Sequence, residues 1–93
     1  MLHPGVVLTV DGGGMVAAPI TALEGASEAG RYLCEVLGDK RASLVTGSVN
    51  GAPGIVVHRD AKVTGVLGIR VRGRVIVEAW LVLNPGKLER WNR

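Results

Sequence analysis

Aromatic side chains are nearly absent. Tyr32, Trp80 and Trp91 are the only three, and there is no phenylalanine in 93 residues. Apolar volume must therefore come from Val, Leu, Ile and Ala, and the valine excess favours strands. Without interleaved aromatics the chain also lacks the usual stacking platform for single-stranded nucleic acid, so no direct nucleic-acid binding is expected. A lone cysteine, Cys34, excludes an intrachain disulfide and fits a reducing compartment, with the cytoplasm as the expected location. No apolar run approaches the ~20 residues of a membrane-spanning helix. The opening Met1-Leu2-His3-Pro4 lacks the charged and apolar regions of a signal peptide, so none is expected, and without a spanning run no membrane partner is expected either. His3 and His58 stand far from any Cys or acid cluster, whereas a zinc site needs three or four ligands. Neither a metal nor another cofactor is expected.

A chain of this length makes one domain, spanning residues 1–93, with no room for a second core. Hydrophobic content of 47% against 20% charged residues puts it on the globular side. The formal charge is +3, and three of the arginines gather in Arg70-Val71-Arg72-Gly73-Arg74. Guanidinium groups at a hairpin tip can meet phosphates or an acidic partner, but with no aromatics between them the simpler reading is a solvated turn.

Residues Val6 to Val10 read as a strand and Asp11 to Gly14 as its turn. Met15 to Ala18 reads as a return strand ended by Pro19. A helix is predicted over Ala26 to Leu37, with Ser27 at its N-cap or in its first turn and Gly38 at its C′ position. Ala26, Ala29, Gly30, Leu33 and Leu37 recur at helical spacing and form one face, with Glu28, Arg31 and Glu35 opposite. Everything after Arg41 reads as antiparallel sheet. Ala42 to Val49 and Gly54 to His58 flank Asn50-Gly51, a strong hairpin signal. Lys62 to Val71 and Arg74 to Leu83 form a further hairpin around Arg72-Gly73.

Alternation assigns Val63, Gly65, Leu67, Ile69 and Val71, with Val75, Val77, Ala79, Leu81 and Leu83, to the face that holds the helix. The opposite face carries Val66, Ile76, Trp80 and Val82, so the last strand is apolar on both sides. An uncovered apolar patch marks a partner surface. These four residues are the expected interface of a homodimer, with a second internal layer as the alternative.

Two signatures near opposite ends carry most of the information. Val7-Leu8-Thr9-Val10-Asp11-Gly12-Gly13-Gly14 is a strand entering a turn that needs freedom in φ. Leu83-Asn84-Pro85-Gly86-Lys87-Leu88 is a strand stopped by Asn-Pro with a short helical turn behind it. Together they resemble the SnoaL-like domain that closes the C-terminus of certain extracytoplasmic-function sigma factors, which has an Asp-Gly-Gly-Gly-basic turn early and Asn-Pro-Asp-Lys-Leu late. Met15 and Gly86 depart from that pattern, while Lys87 and Leu88 match it. The resemblance covers about Val6 to Leu88. It implies an α+β cone of the nuclear-transport-factor-2-like type: a curved antiparallel sheet of about six strands on one main helix, lacking the N-terminal helices usual in the family. These 93 residues hold no DNA-binding helical regions, so they are not expected to act as a sigma factor by themselves.

The resemblance further implies a non-catalytic regulatory domain that touches a sigma factor or another RNA polymerase component. Asp11, Gly12, Gly13, Gly14, Asn84, Pro85, Lys87 and Leu88 would be its contact residues, in a chain that is expected to dimerise. The alternative is a small hydrophobic-ligand binder, or a SnoaL-type isomerase or cyclase, with a closed cavity on the inner face of the sheet.

The chemical candidates are thin. Gly12 to Ala17 formally satisfies G-x-G-x-x-A, but a dinucleotide site needs a helix opening there, and Ala18-Pro19 argues against one. Asp11 suits an Asx-turn that pins the hairpin; as a catalytic base it lacks a visible titratable partner. Cys34 reads as a buried or half-buried hydrophobe, Tyr32 as a residue near the polar helix edge, and Trp91 as a side chain docking back onto the protein.

Overall fold

The computed structural model describes residues 2–14, 22–38, 40–49 and 51–92. Strand β1 (Leu2–Asp11) is followed by a short β2 (Leu23–Glu24) and helix α1 (Ala26–Leu37). Four hairpin-linked strands come next: β3 (Ala42–Val49), β4 (Ala52–Arg59), β5 (Lys62–Arg72) and β6 (Val75–Val82). A one-turn helix α2 (Pro85–Leu88) then runs into a 3-10 turn (Glu89–Trp91). The strands form one open sheet in the order β2-β1-β6-β5-β4-β3. The fold class is the expected α+β, with one difference in the sheet. β1 lies parallel to β6, whereas the hairpins β3–β4, β4–β5 and β5–β6 are antiparallel, so the sheet is mixed. The predicted return strand Met15 to Ala18 falls outside the described residues. Among those described, no helix is long and apolar enough to cross a membrane.

Helix α1 forms over the predicted span. Gly25, at φ 95°, is its N-cap, and Ser27 lies in the first turn. At the far end the Gly38 N–H donates to the Cys34 carbonyl at 2.9 Å, with φ −83°. Gly38 is thus the C-cap and does not take the left-handed conformation expected of it as the C′ residue. Ala29 is buried against Val6, Leu8, Leu67, Ala79 and Leu81, with Leu33 and Leu37 packed around them. Leu8 and Leu81 are fully buried; removing a side chain of that size from water is worth about 1.5–3 kcal/mol. Tyr32 and Val36 join this core, so the tyrosine is not on the polar edge, and its burial raises the phenol above its ordinary value of 10.0. Cys34 is exposed, on the solvent side of the helix.

Two bulges overturn the alternation on β5 and β6. Between β4 and β5 the register steps from Val57↔Gly65 to His58↔Val63, leaving Thr64 as the extra residue. Val63 therefore joins Val56 and Val66 on the face away from α1. Between β5 and β6 it steps from Arg70↔Glu78 to Val71↔Ile76, with Val77 extra. Ile76 consequently packs with the helix-side core instead of on the outer face. An inserted residue shifts every later side chain to the other face, which periodicity alone does not reveal.

The outer face is covered by the chain itself. Leu88 is buried with Val56, Val63 and Val66, and Val49, Val82 and Trp91 pack around them. Asn92 fastens this cover: its Oδ1 accepts the Val63 N–H at 2.7 Å, and its Nδ2 donates to the Val63 carbonyl at 3.1 Å. Val66 is only 3% exposed as a result, while Trp80 remains 40% exposed. The four residues expected at a dimer face therefore do not make one open patch: Ile76 faces inward, Val66 is covered, Val82 is half-buried and Trp80 is open.

Asp60 and Ala61 close the β4–β5 hairpin with φ of 53° and 65°, both left-handed, as a two-residue turn of the type favoured by right-handed strand twist requires. Asp tolerates that region, whereas alanine is penalised by about 1–2 kcal/mol. Ala61→Gly is expected to stabilise the protein by about 0.5–1 kcal/mol net of the extra chain entropy, raising Tm by about 2–8 °C in a thermal melt.

Candidate functional site

Because β1 and β6 run side by side in the same direction, both leave the sheet at one edge. Asp11 pairs with Val82 in the register, and the Leu83 N–H donates to the Asp11 carbonyl at 2.7 Å, extending the ladder by one bond. The glycine turn after β1 and the Asn-Pro turn after β6 therefore start as neighbours, though some seventy positions apart in the chain.

Each turn is built by its own polar residue. The Asp11 Oδ1 accepts the Gly13 N–H at 3.0 Å, an Asx-turn that bends the chain through Gly13 and Gly14 at φ 64° and 76°. Asn84 caps α2: its Oδ1 accepts the Gly86 N–H at 3.0 Å, while Pro85 occupies the first turn, where no N–H is needed. The Asn84 carbonyl then accepts from the N–H groups of Lys87 and Leu88 at 3.1 and 3.2 Å. That single turn sends two adjacent side chains in opposite directions. Leu88 enters the outer core, and Lys87 reaches back to Asp11.

Two contacts lock the turns together. The Lys87 Nζ lies 2.6 Å from the Asp11 Oδ2, with the aspartate side chain 32% exposed. Gly13 also packs so closely on Asn84 that a Cβ there would sit 2.3 Å from the Asn84 Cγ. At Gly14 a Cβ would meet nothing within 4 Å. Gly13 is thus required twice, by its φ and by its neighbour; Gly14 is required by φ alone.

Of the eight expected contact residues, all lie at this corner, but they do different work. Gly12 and Leu88 are buried, Asp11 and Asn84 are half-buried, and Gly13, Gly14, Pro85 and Lys87 are exposed. Sequence reasoning chose Asp11 and Lys87 separately and missed that they pair. It also missed Asn92, which carries no sequence signal of its role.

The electrostatics argue against a catalytic base. The Lys87 ammonium on its carboxylate, helped by the Gly13 N–H and Asn84, holds Asp11 below the ordinary 3.8, the opposite of the upward tuning a general base needs. Among the described residues no group of three or more His, Cys, Asp or Glu is placed to hold a metal ion. The helix that a dinucleotide site would need after Gly14 falls on residues outside those described. Arg70 pairs with Glu78 across β5 and β6 at 2.9 Å, and residues 70–74 at the hairpin tip are exposed.

An open groove of about 510 Å³ lies beside this corner on the outer face. Val49, Val66, Val82, Leu88 and Trp91 form its apolar wall, and Lys87, Glu89 and Arg90 line it as well. On the helix side a cleft of about 330 Å³ lies between the end of α1 and β4, lined in part by Glu35, Val36, Val57 and Leu83.

The chain is similar to an extracytoplasmic-function sigma factor. The solved structure is the crystal structure of the Mycobacterium tuberculosis extracytoplasmic function sigma factor SigJ, matched at a TM-score of 0.67 and 22% identity. The match covers 92% of this chain and 35% of that one, so this chain spans about a third of the sigma factor's length. At that identity the likeness is one of fold. No protein-family model and no curated protein matches the sequence.

The Asp11 carboxylate supplies a pH signature. Its folded-state pKa is depressed, so its contribution to stability is fully present above the unfolded value and is lost as pH falls through the folded one. Asp11→Asn is expected to melt below the wild type at neutral pH, with the gap closing as the solution is acidified past that lowered value. A series of thermal melts against pH checks this.

Proposed function

We propose that this chain is a non-catalytic regulatory domain, similar to the SnoaL-like domain of extracytoplasmic-function sigma factors, which acts by contact with a sigma factor's helical regions. The observation that carries this reading is the joining of the two turns. The segments that the family resemblance marks for contact, 11–14 and 84–88, meet in one corner locked by Asp11, Lys87, Gly13 and Asn84. The likeness in fold to a sigma factor agrees with it. So does the depressed Asp11, which suits a structural ion pair and not proton transfer.

The exposed part of the corner offers backbone at Gly13 and Gly14, a proline and the stem of Lys87. Such a surface suits an α-helical partner, since glycines allow close approach and a lysine stem covers apolar area while its ammonium is held at the surface by Asp11. The groove beside it adds Trp91 and Arg90, residue types enriched where interfaces are tightest. A reading as a hydrophobic-ligand binder has less support, because the helix-side core is filled by Val6, Leu8 and Leu81, and the larger groove is open to solvent.

The test is a titration of this chain against the helical regions of extracytoplasmic-function sigma factors supplied as a separate polypeptide. Binding by the wild type is expected, weakened about tenfold or more (~1.4 kcal/mol) by Gly14→Asn with Lys87→Met. The first change tolerates the left-handed φ and projects into open space. The second keeps the lysine stem but removes the ammonium that ties this segment to Asp11, and so loosens the corner that presents the surface. Equal affinity for the two proteins, or no binding by the wild type, contradicts the proposal.

A further inference from the structure

The two edges of the sheet differ in a way that has a physical consequence. At one edge β2 is two residues long and includes Glu24. At the other, β3 runs for eight residues, Ala42–Val49, with no charge, no proline and an unbroken register against β4 from Ala42↔Arg59 to Val49↔Ala52. Proteins that remain monomeric blunt their edge strands with charges, prolines, bulges or short length. β3 uses none of these. Leu44 and Val45 are 46% and 48% exposed on it, pointing to opposite faces. Among the described residues no strand pairs with its outer side.

The register shows which backbone groups are open. Arg59 and Lys62 close the two-residue turn at Asp60-Ala61, so the odd-numbered residues of β4 hydrogen-bond to β5 and the even-numbered ones to β3. The β3 partners of those even-numbered residues, Ser43, Val45, Gly47 and Val49, spend their N–H and C=O groups on β4. Leu44, Thr46 and Ser48 direct theirs outward.

We propose that two copies of this chain associate through β3, antiparallel and edge to edge, with Val45 on the two-fold axis. Leu44 of one copy then exchanges main-chain hydrogen bonds with Thr46 of the other. Val45 faces its own counterpart, pairing the two most exposed large aliphatic positions of the strand with β-branched neighbours. The occupant is a second copy because the edge is self-complementary: an uncharged strand presents the same alternation of donors and acceptors to its own antiparallel image. Arg41, just outside the strand, lies about 27 Å from its symmetry mate at ~3.4 Å per residue, so no like charges meet across the axis. Val45 lies opposite Val56, on the outer face, and joins the apolar outer surfaces of the two copies. This two-fold differs from the face expected from alternation at Val66, Ile76, Trp80 and Val82, and it leaves the Asp11–Lys87 corner uncovered.

The experiment is sedimentation of the full chain over a dilution series, paired with directed cross-linking. Thr46→Pro removes an N–H that β4 does not use, and Val45 before it already holds the extended backbone that proline requires. A concentration-dependent dimer is expected for the wild type. It should weaken at least about tenfold in Thr46→Pro, which deletes two intermolecular hydrogen bonds, and likewise in Thr46→Lys, which is independent of any proline effect on folding. In a Cys34→Ser background, Val45→Cys should oxidise to a covalent dimer, since non-hydrogen-bonded antiparallel pairs stand about 4.5 Å apart at Cα, within disulfide range. Ser43→Cys in the same background should not, its symmetry mate lying about 14 Å away. A wild type that is monomeric at all concentrations, a dimer unaffected by both Thr46 substitutions, cross-linking as efficient through Ser43→Cys, or none through Val45→Cys overturns the proposal.

Discussion

The parallel pairing of β1 with β6 is the constraint on which the rest depends. Parallel neighbours cannot be joined by a tight turn, so everything from β2 to β5 serves as the connection between them. Its consequence is directional. Both strands leave the sheet at the same edge, and two turns from opposite ends of the sequence must share one corner. An antiparallel pairing of the same two strands would have put those turns at opposite edges, and Lys87 would have had no route to Asp11.

The second constraint is the apolar character of the sheet on both faces. Helix α1 covers one face over β1 and β6, while Leu88, Trp91 and the Asn92 bridge cover the other over β4 and β5. The corner and the cover are coupled through α2, because the same turn that aims Lys87 at Asp11 drops Leu88 between Val63 and Val66. Disturbing the Asn84 cap therefore affects both, so the Asn-Pro signature here has a packing role of its own. The exposed rim of the corner, which is the surface proposed to meet a partner, rests on a core built from this chain alone.

Much of this was legible in the sequence. Helical spacing located α1 from Ala26 to Leu37, and the Asn50-Gly51 signal bracketed β3 and β4 correctly, because amphipathic period and turn chemistry are local properties. What failed was non-local. Val63 and Ile76 were assigned to the wrong faces because bulges at Thr64 and Val77 depend on the neighbouring strand. The direction of β1 relative to β6, the Asp11–Lys87 pair and the Asn92 bridge all join residues distant in the chain, and no spacing rule reaches them. Cys34 illustrates the other kind of miss: an apolar residue type on an amphipathic helix faces solvent, because its neighbours Leu33 and Leu37 already fill the core side.

If the two turns are physically one site, the contact of Gly13 with Asn84 must couple them energetically. The measurement is a double-mutant cycle on stability with Gly13→Ala and Asn84→Gly. With Asn84 present, the added methyl must meet both the left-handed φ and the Asn84 side chain; with glycine at 84, only the φ penalty of about 1–2 kcal/mol remains. Gly13→Ala is expected to be less damaging in the Asn84→Gly background, by roughly 1 kcal/mol of coupling. Additive effects, equal to within about 0.3–0.5 kcal/mol, would mean that the turns do not touch and that the corner is not a single site.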